Sequence, residues 1–280
     1  MSKFAFVNGK YLTLNNARLS INDRSIHFSD SVYEVVAVYE GKLVFWKEHL
    51  DRLIKSLSML DIKNFNNIKN LIFKCKEIID LNNLKFGLIY IQISRGIASR
   101  NHNWNKDIMP SLIISALHKN VFKSNKTISL ISNKDIRWKL SHIKSTSLLG
   151  NVLLKQKALK KNSFECVMYD EKKMITEATT SNIWMIKNKN LFTPPLTKNI
   201  LPGVTRKIVF QIAKDLNIKA TEKNISMNTL VNSDGVFLTN SSSLLLLANK
   251  IDNLKLKTDK DKISELIFNK LIEVIINHAT

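Results

Sequence analysis

The residues from Phe86 to Arg95 alternate as an extended strand does: Ile89, Ile91 and Ile93 fall on one face, and Leu88, Tyr90, Gln92 and Ser94 on the other. The isoleucine face demands burial. A face carrying a phenol, an amide and a hydroxyl suits the wall of a cavity better than a dry core. Segments able to pair with this strand surround it. Residues 4 to 14 alternate around Asn8-Gly9, the two-residue turn of a β-hairpin. A turn-rich loop from Asp23 feeds a strand ending at Tyr39, Glu40-Gly41 turns it into Lys42 to Phe45, and a further strand is predicted at 111–117.

Helical spacing appears between these strands. Leu50, Leu53, Ile54, Leu57 and Leu60 predict an amphipathic helix from Trp46 to Leu60, with Arg52 off its main buried stripe. Ile68, Leu71, Ile72, Cys75, Ile78 and Ile79 predict a second over about 67–80. The polar stretch 118–134 reads as a break. Beyond it, a helix over about 148–161 precedes short strands near 164–169, 173–177, 182–187 and 190–193. A helix opens after Gly203, a strand spans 235–240, and a helix over about 260–277 follows. The expected class is α/β (α+β), with an N-terminal α/β domain at 1–118, an interdomain linker at 119–133 and a C-terminal domain at 134–280, a division that 280 residues can support.

Composition narrows the function. The net charge of +20 raises the question of a polyanion partner, but the lysines are scattered rather than gathered into a stripe with interleaved aromatics, so no specific nucleic-acid groove is expected. No apolar run approaches the ~18 residues of a membrane span, and the N-terminus has no signal-peptide core, so a soluble cytoplasmic protein without a membrane partner is expected. Cys75 and Cys166 show no paired motif, and the six histidines show no ligand spacing; a metal site is not expected.

The stretch from Arg137 to Asn151 places Lys144 between a short apolar approach and a run of hydroxylated residues leading into a helix. A lysine there is either a surface charge or a nucleophile. Three other features point toward phosphate. Gly203 ahead of a helix start would let the amides of Val204 and Thr205 face an anion, where the helix dipole favours it. Arg52 offers a forked, permanent cation, and Ser241, at a strand end, a hydroxyl donor. The loop Arg95 to Trp104 brings two arginines and His102 close together.

The segments FSDSVYEVVAVYEGKL, EHLDRL, YIQISRGIASRNH, IKSTSLLGNVLLKQKA, ITEATTSNIW, LPGVTRKIV and VFLTNSSS occur in the order of the motifs of fold-type IV pyridoxal-phosphate aminotransferases, and the chain most resembles the D-amino acid aminotransferases among them. The likeness runs from the first hairpin to about residue 255. It implies a two-domain fold-type IV enzyme whose C-terminal domain holds most of the cofactor, pyridoxal 5′-phosphate. Lys144 would form the internal aldimine and shuttle the proton, and Glu177 would pair with the pyridine nitrogen. Arg52, Val204, Thr205 and Ser241 would form the phosphate cup. Tyr33, Arg100 and His102 would bind the substrate carboxylate, the last two donated across a homodimer, with Tyr90 as a further wall of the site.

The implied reaction is ping-pong transamination of a D-amino acid, D-alanine with 2-oxoglutarate giving pyruvate and D-glutamate. Alternatives on the same cofactor are a branched-chain aminotransferase, which would not be expected to carry Arg100-x-His102, and a 4-amino-4-deoxychorismate lyase. A remoter one is a basic nucleic-acid-binding protein on a degenerate enzyme fold. Two departures stand out. Ser29 and Ser31 replace glycines of the FGDGVYE form, which should restrict positive φ there. Leu244 stands where a glutamate is common, which leaves the polar network behind the cofactor open.

Overall fold

The computed structural model describes residues 2–66, 68–122 and 126–278. They form two compact units: Met1–Val121 with Ile143–Ser147 and Ile275–Thr280, and Phe122–His142 with Leu148–Val274. No helix among the described residues is long and apolar enough to cross a membrane.

In the first unit the elements are β1 (Phe4–Val7), β2 (Lys10–Thr13), α1 (Arg24–Phe28), β3 (Ser31–Tyr39), β4 (Lys42–Leu43), α2 (Trp46–Met59), α3 (Leu71–Leu81), β5 (Gly87–Ser94) and β6 (Ser111–His118). The strands pair in the order β2-β1-β6-β5-β3-β4, every pair antiparallel. β5 lies in the middle, as its alternation requires. Ile89, Ile91 and Ile93 are at most 1% exposed and pack with Leu53, Leu57, Leu71, Cys75 and Ile78 of α2 and α3. Each such burial contributes roughly 1.5–3 kcal/mol. On the opposite face Tyr90 and Gln92 stay half-buried.

The second unit contains β7 (Lys126–Lys134), α4 (Leu149–Lys160), β8 (Glu165–Tyr169), β9 (Ile175–Ala178), β10 (Asn182–Lys187), β11 (Asn190–Thr193), α5 (Val204–Asp215), β12 (Ala220–Glu222), α6 (Met227–Val231), β13 (Gly235–Asn240), β14 (Leu244–Ile251), β15 (Leu254–Lys255) and α7 (Ile263–His278), the last of which ends in the first unit's share of the chain. The strand order is β12-β11-β10-β13-β14-β7-β8-β9, with β15 on β14. β7 runs parallel to both β14 and β8. Trp184 anchors this sheet, stacked on Phe237 at 5.8 Å and donating to Thr239 Oγ1 at 3.1 Å.

Beyond the short β12, α6 and β15, which the sequence pattern does not show, three elements differ from it. The stretch 119–133, read as a linker, contains most of β7; Lys123 to Asn125 within it lie outside the described residues. Lysine and asparagine mask its alternation, but Ile128 and Leu130 are buried in the core of the second unit. The turn-rich stretch after Asp23 includes the short helix α1, because the Asp23 carboxylate caps it by accepting from Ser25 N at 2.9 Å. β14 was not anticipated, since four consecutive leucines carry no period of two.

Candidate active site

The segment bearing Lys144 returns to the first unit for only five residues and lies along β3. Tyr33 N donates to the Lys144 carbonyl at 2.9 Å, Thr146 N donates to the Ser31 carbonyl at 3.1 Å, and Val32 bridges Ser145. The Ser31 and Thr146 hydroxyls share a 2.6 Å hydrogen bond, and Thr146 Oγ1 also donates to the Ser29 carbonyl at 3.1 Å. Backbone pairing on this scale fixes where the lysine starts. Its Nζ ends 4.1 Å from the centroid of the Tyr33 ring.

Tyr33 in turn stacks on Tyr90 at 5.7 Å, and Tyr90 donates to Gln92 Oε1 at 2.7 Å. Burial, with Tyr33 adding to it, pushes the Tyr90 phenol up to about 12, so Tyr90 stays a neutral donor at physiological pH. The structure therefore brings Lys144, Tyr33 and Tyr90 together.

Arg52 departs from its expected place off the buried stripe. It is buried, 9% exposed, because Glu34 of β3 draws it inward: Nε and Nη2 donate to the two carboxylate oxygens, each at 2.7 Å. His49 Nδ1 lies 2.7 Å from Glu34 Oε2. Burial would raise Glu34, but the Arg52 charge and hydrogen bonds, with help from His49, hold it at about 2. Burial dominates at His49 and lowers it, which leaves a neutral ring donating to Glu34. The sequence reading missed Glu34 and His49. The signal was present, since Val32, Glu34, Val36 and Val38 share a strand face that is otherwise apolar.

In the second unit, Glu177 lies buried on β9. It accepts from Arg137 Nη1, from Asn182 Nδ2 at 3.0 Å and from Leu201 N at 3.2 Å. Asp135 grips the same guanidinium through Nε at 3.0 Å and Nη2 at 2.7 Å, and Thr176 donates to Asp135 at 2.8 Å. Burial still outweighs these partners and pushes Glu177 up to about 7.

Glu165, fully buried, accepts from the hydroxyls of Thr179, Thr180 and Ser181, which accounts for the hydroxyl run after Glu177. Arg137, Asp135 and Glu165 were not singled out from sequence. A buried ion network built from residues far apart in the chain has no local period to betray it.

Gly203 caps α5 with φ −65° and ψ 136°, a conformation open to any residue, and no side chain caps the helix. Glycine is needed for space: a Cβ there would lie 2.0 Å from Asn182 Oδ1. The first amides of α5, those of Val204 and Thr205, begin a twelve-residue helix whose dipole favours an anion. Ser241 follows β13 and is half-buried; its neighbour Asn240 donates to Ser181 Oγ at 2.7 Å. Leu244 closes that hairpin at φ +57°, buried opposite Asn240.

A family model for amino-transferase class IV matches residues 31–251. The D-alanine aminotransferase of Staphylococcus haemolyticus is 34% identical over 252 residues, 88% of each chain. The branched-chain amino acid aminotransferase of Escherichia coli superposes with a TM-score of 0.92 at 21% identity, covering 100% of this chain and 97% of its own. A putative 4-amino-4-deoxychorismate lyase of Legionella pneumophila gives 0.84 at 25%, covering 92% and 96%. The chain belongs to the class IV aminotransferases.

Class IV aminotransferases use pyridoxal phosphate, and the donor set suits that group. A carboxylate raised to about 7 by burial is matched to a protonated ring nitrogen, whose charge would restore its ionisation. The cap-free helix start at Gly203 suits a phosphate. Arg100 and His102 of this aminotransferase stand on the exposed loop after β5, both near Phe28: Arg100 Cζ lies 5.5 Å from that ring's centroid and the His102 ring centroid 5.3 Å from it. Ser29 does adopt positive φ, +52°, contrary to the restriction expected of it, because the Thr146 hydrogen bond and the turn into β3 hold it there. Ser31 is buried as the first residue of β3 and uses its hydroxyl on Thr146.

Proposed function

We propose that this class IV aminotransferase transfers the amino group of a D-amino acid, D-alanine foremost, to a 2-oxo acid such as 2-oxoglutarate. The observation that carries the reading is the placement of the residues to which we assign carboxylate recognition: Tyr33 lies against Lys144, and Arg100 and His102 both lie near Phe28. The 34% identity to a D-alanine aminotransferase over 88% of both chains supports it.

Pyridoxal phosphate, when bound, supplies the electron sink for the substrate carbanion. Lys144 holds the cofactor and its Nζ moves the proton from substrate Cα. Glu177 keeps the ring nitrogen protonated, with Arg137, Asn182 and the Leu201 amide orienting the carboxylate. The amides of Val204 and Thr205, the Ser241 hydroxyl and Arg52 hold the phosphate. Tyr33, Arg100 and His102 donate to the substrate carboxylate, with Tyr90 walling the site.

The proposal includes a homodimer in which each subunit's Arg100 and His102 serve the other's site. Cys75 and Cys166 are free and buried, in keeping with a reducing compartment, and the proposed location is the cytoplasm.

The purified enzyme should be yellow and borohydride should fix the cofactor on Lys144. Lys144→Ala should abolish turnover. D-alanine, not L-alanine, should release pyruvate in a 2-oxoglutarate-dependent reaction. A colourless protein that resists reconstitution would overturn the reading, and turnover of branched-chain L-amino acids would replace it with that specificity. Pyruvate release from aminodeoxychorismate without an oxo acid would make it a lyase.

A further inference from the structure

Arg24, the first residue of α1, is 3% exposed, and its guanidinium is spent on one stretch of backbone. Nη1 donates to the carbonyl of Asn101 at 2.6 Å and, at 3.4 Å, to that of Asn103, while Nη2 donates to that of His102 at 3.3 Å. Nε donates to Asp30 at 2.8 Å. These three successive carbonyls belong to or adjoin the Arg100-x-His102 motif. A single planar fork thus reads the path of the loop directly behind the two side chains it presents.

The fork is itself held from every side. Asp30 also takes Nε and Nη2 of Arg95 at 2.8 and 3.0 Å, and Arg95 donates on to the carbonyls of Leu60 and Asp61 at 2.6 and 3.0 Å. Arg95 lies 4.0 Å from the Trp104 ring centroid at the far end of the loop, and Arg24 lies 4.6 Å from Phe28, the ring shared by Arg100 and His102. Arg24 N donates to the Gly96 carbonyl at 2.9 Å. Gly96, at φ +117° with Met109 O only 2.0 Å from a would-be Cβ, lets the two loop strands close on each other.

We propose that Arg24 is the positioning residue of the carboxylate clamp. By tying the backbone of Asn101 to Asn103 it fixes the direction of Arg100 and His102, and so sets substrate affinity without touching substrate. The inference rests on the proposed role of Arg100 and His102. Its chemistry is specific: lysine at this position would keep the charge opposite Asp30 but could not span several carbonyls with one rigid plane.

The test uses holoenzyme of wild type, Arg24→Lys, Arg24→Gln, Arg100→Ala and the double variant Arg24→Gln with Arg100→Ala. Arg24→Gln should raise KM for D-alanine about ten-fold or more, as expected for losing charged hydrogen bonds, with kcat within about two-fold and cofactor content unchanged. Arg24→Lys should fall between. In the Arg100→Ala background the Arg24 change should raise KM by a clearly smaller factor than in wild type, the remainder acting through His102, a non-additivity that a general loss of folding would not produce.

Hydrogen exchange read over residues 97–104 should accelerate in Arg24→Gln and Arg24→Lys while the strands β3 and β5 stay protected. Additive KM effects, or unchanged exchange in that segment, would overturn the proposal. Absence of D-alanine turnover in the wild type would instead sink the substrate assignment, and the exchange of residues 97–104 would still decide whether Arg24 orders the loop.

Discussion

Glu34 in the first unit and Glu177 in the second are both buried carboxylates facing an arginine, yet they end at opposite ends of the carboxylate range. Glu34 takes both teeth of the Arg52 fork and the His49 ring, and is held at about 2 despite its burial. Glu177 takes one tooth of Arg137, because Asp135 engages that guanidinium through Nε and Nη2, and burial pushes it up to about 7. The difference teaches that an ion pair's value depends on what else each partner holds. A carboxylate that takes two nitrogens of one guanidinium and an imidazole stays ionised even when buried. One that shares its fork with a second acid keeps an appetite for a further cation, which is what a ring partner needs.

The largest expected effect separates the two by stability. Glu34→Gln takes the opposing charge away from the buried Arg52 and should cost about 3–5 kcal/mol in denaturant unfolding of the cofactor-free protein, whereas Glu177→Gln should cost far less or stabilise. Equal losses would erase the contrast.

The pH dependence should run in opposite directions. Glu34, depressed in the folded state, contributes stability present above its unfolded value of 4.5 and lost as pH falls toward 2. The depressed His49 adds to that acid weakness as pH falls below 6.5. Glu177, raised in the folded state, binds a proton between pH 4.5 and 7 that the unfolded chain does not, so its part of the stability falls as pH rises through that window. The Glu34 and Glu177 contributions should each amount to about 3 kcal/mol at most, and each should be lost in the matching glutamine variant when unfolding is measured across pH.

Activity should invert the ranking. Glu177→Gln should lower kcat by about 100-fold, equivalent to about 2.7 kcal/mol, and alter the absorbance of the bound cofactor. Finding that Glu177→Gln keeps full kcat would remove its assignment as ring partner.

The smallest effect lies at Ser29, whose positive φ costs the first unit strain that glycine would relieve. Ser29→Gly should stabilise by up to about 1 kcal/mol, after allowing for glycine's greater freedom when unfolded. Thermal melting would check it. A loss instead would show that the Ser29 side chain, and not only its carbonyl to Thr146, matters to the segment carrying Lys144.

Much of this was legible in the chain itself, for a physical reason. Strand β5 declared itself because alternation is a local property of a pleated backbone, and α2 and α3 because helical spacing is equally local. Gly203 is visible ahead of α5, but its steric purpose is not. It gives room to Asn182 and does not free a dihedral angle, and a neighbour twenty-one positions away leaves no mark on local spacing. Arg52 was placed off the buried stripe because a helix considered alone shows its leucines and not the acid waiting on another strand.

Of this protein, the sequence by itself determined the elements, the isoleucine-rich core of the first unit and the ordered motifs that mark a class IV aminotransferase. Tertiary structure alone decided that the five residues around Lys144 leave the second unit to lie along β3, that Arg24 grips the loop of Arg100 and His102, and that Glu34 and Glu177 carry opposite pKa shifts. Backbone periodicity is written in adjacent residues, whereas the charge state of a buried group is set by solvent exclusion and by partners that only the folded chain assembles.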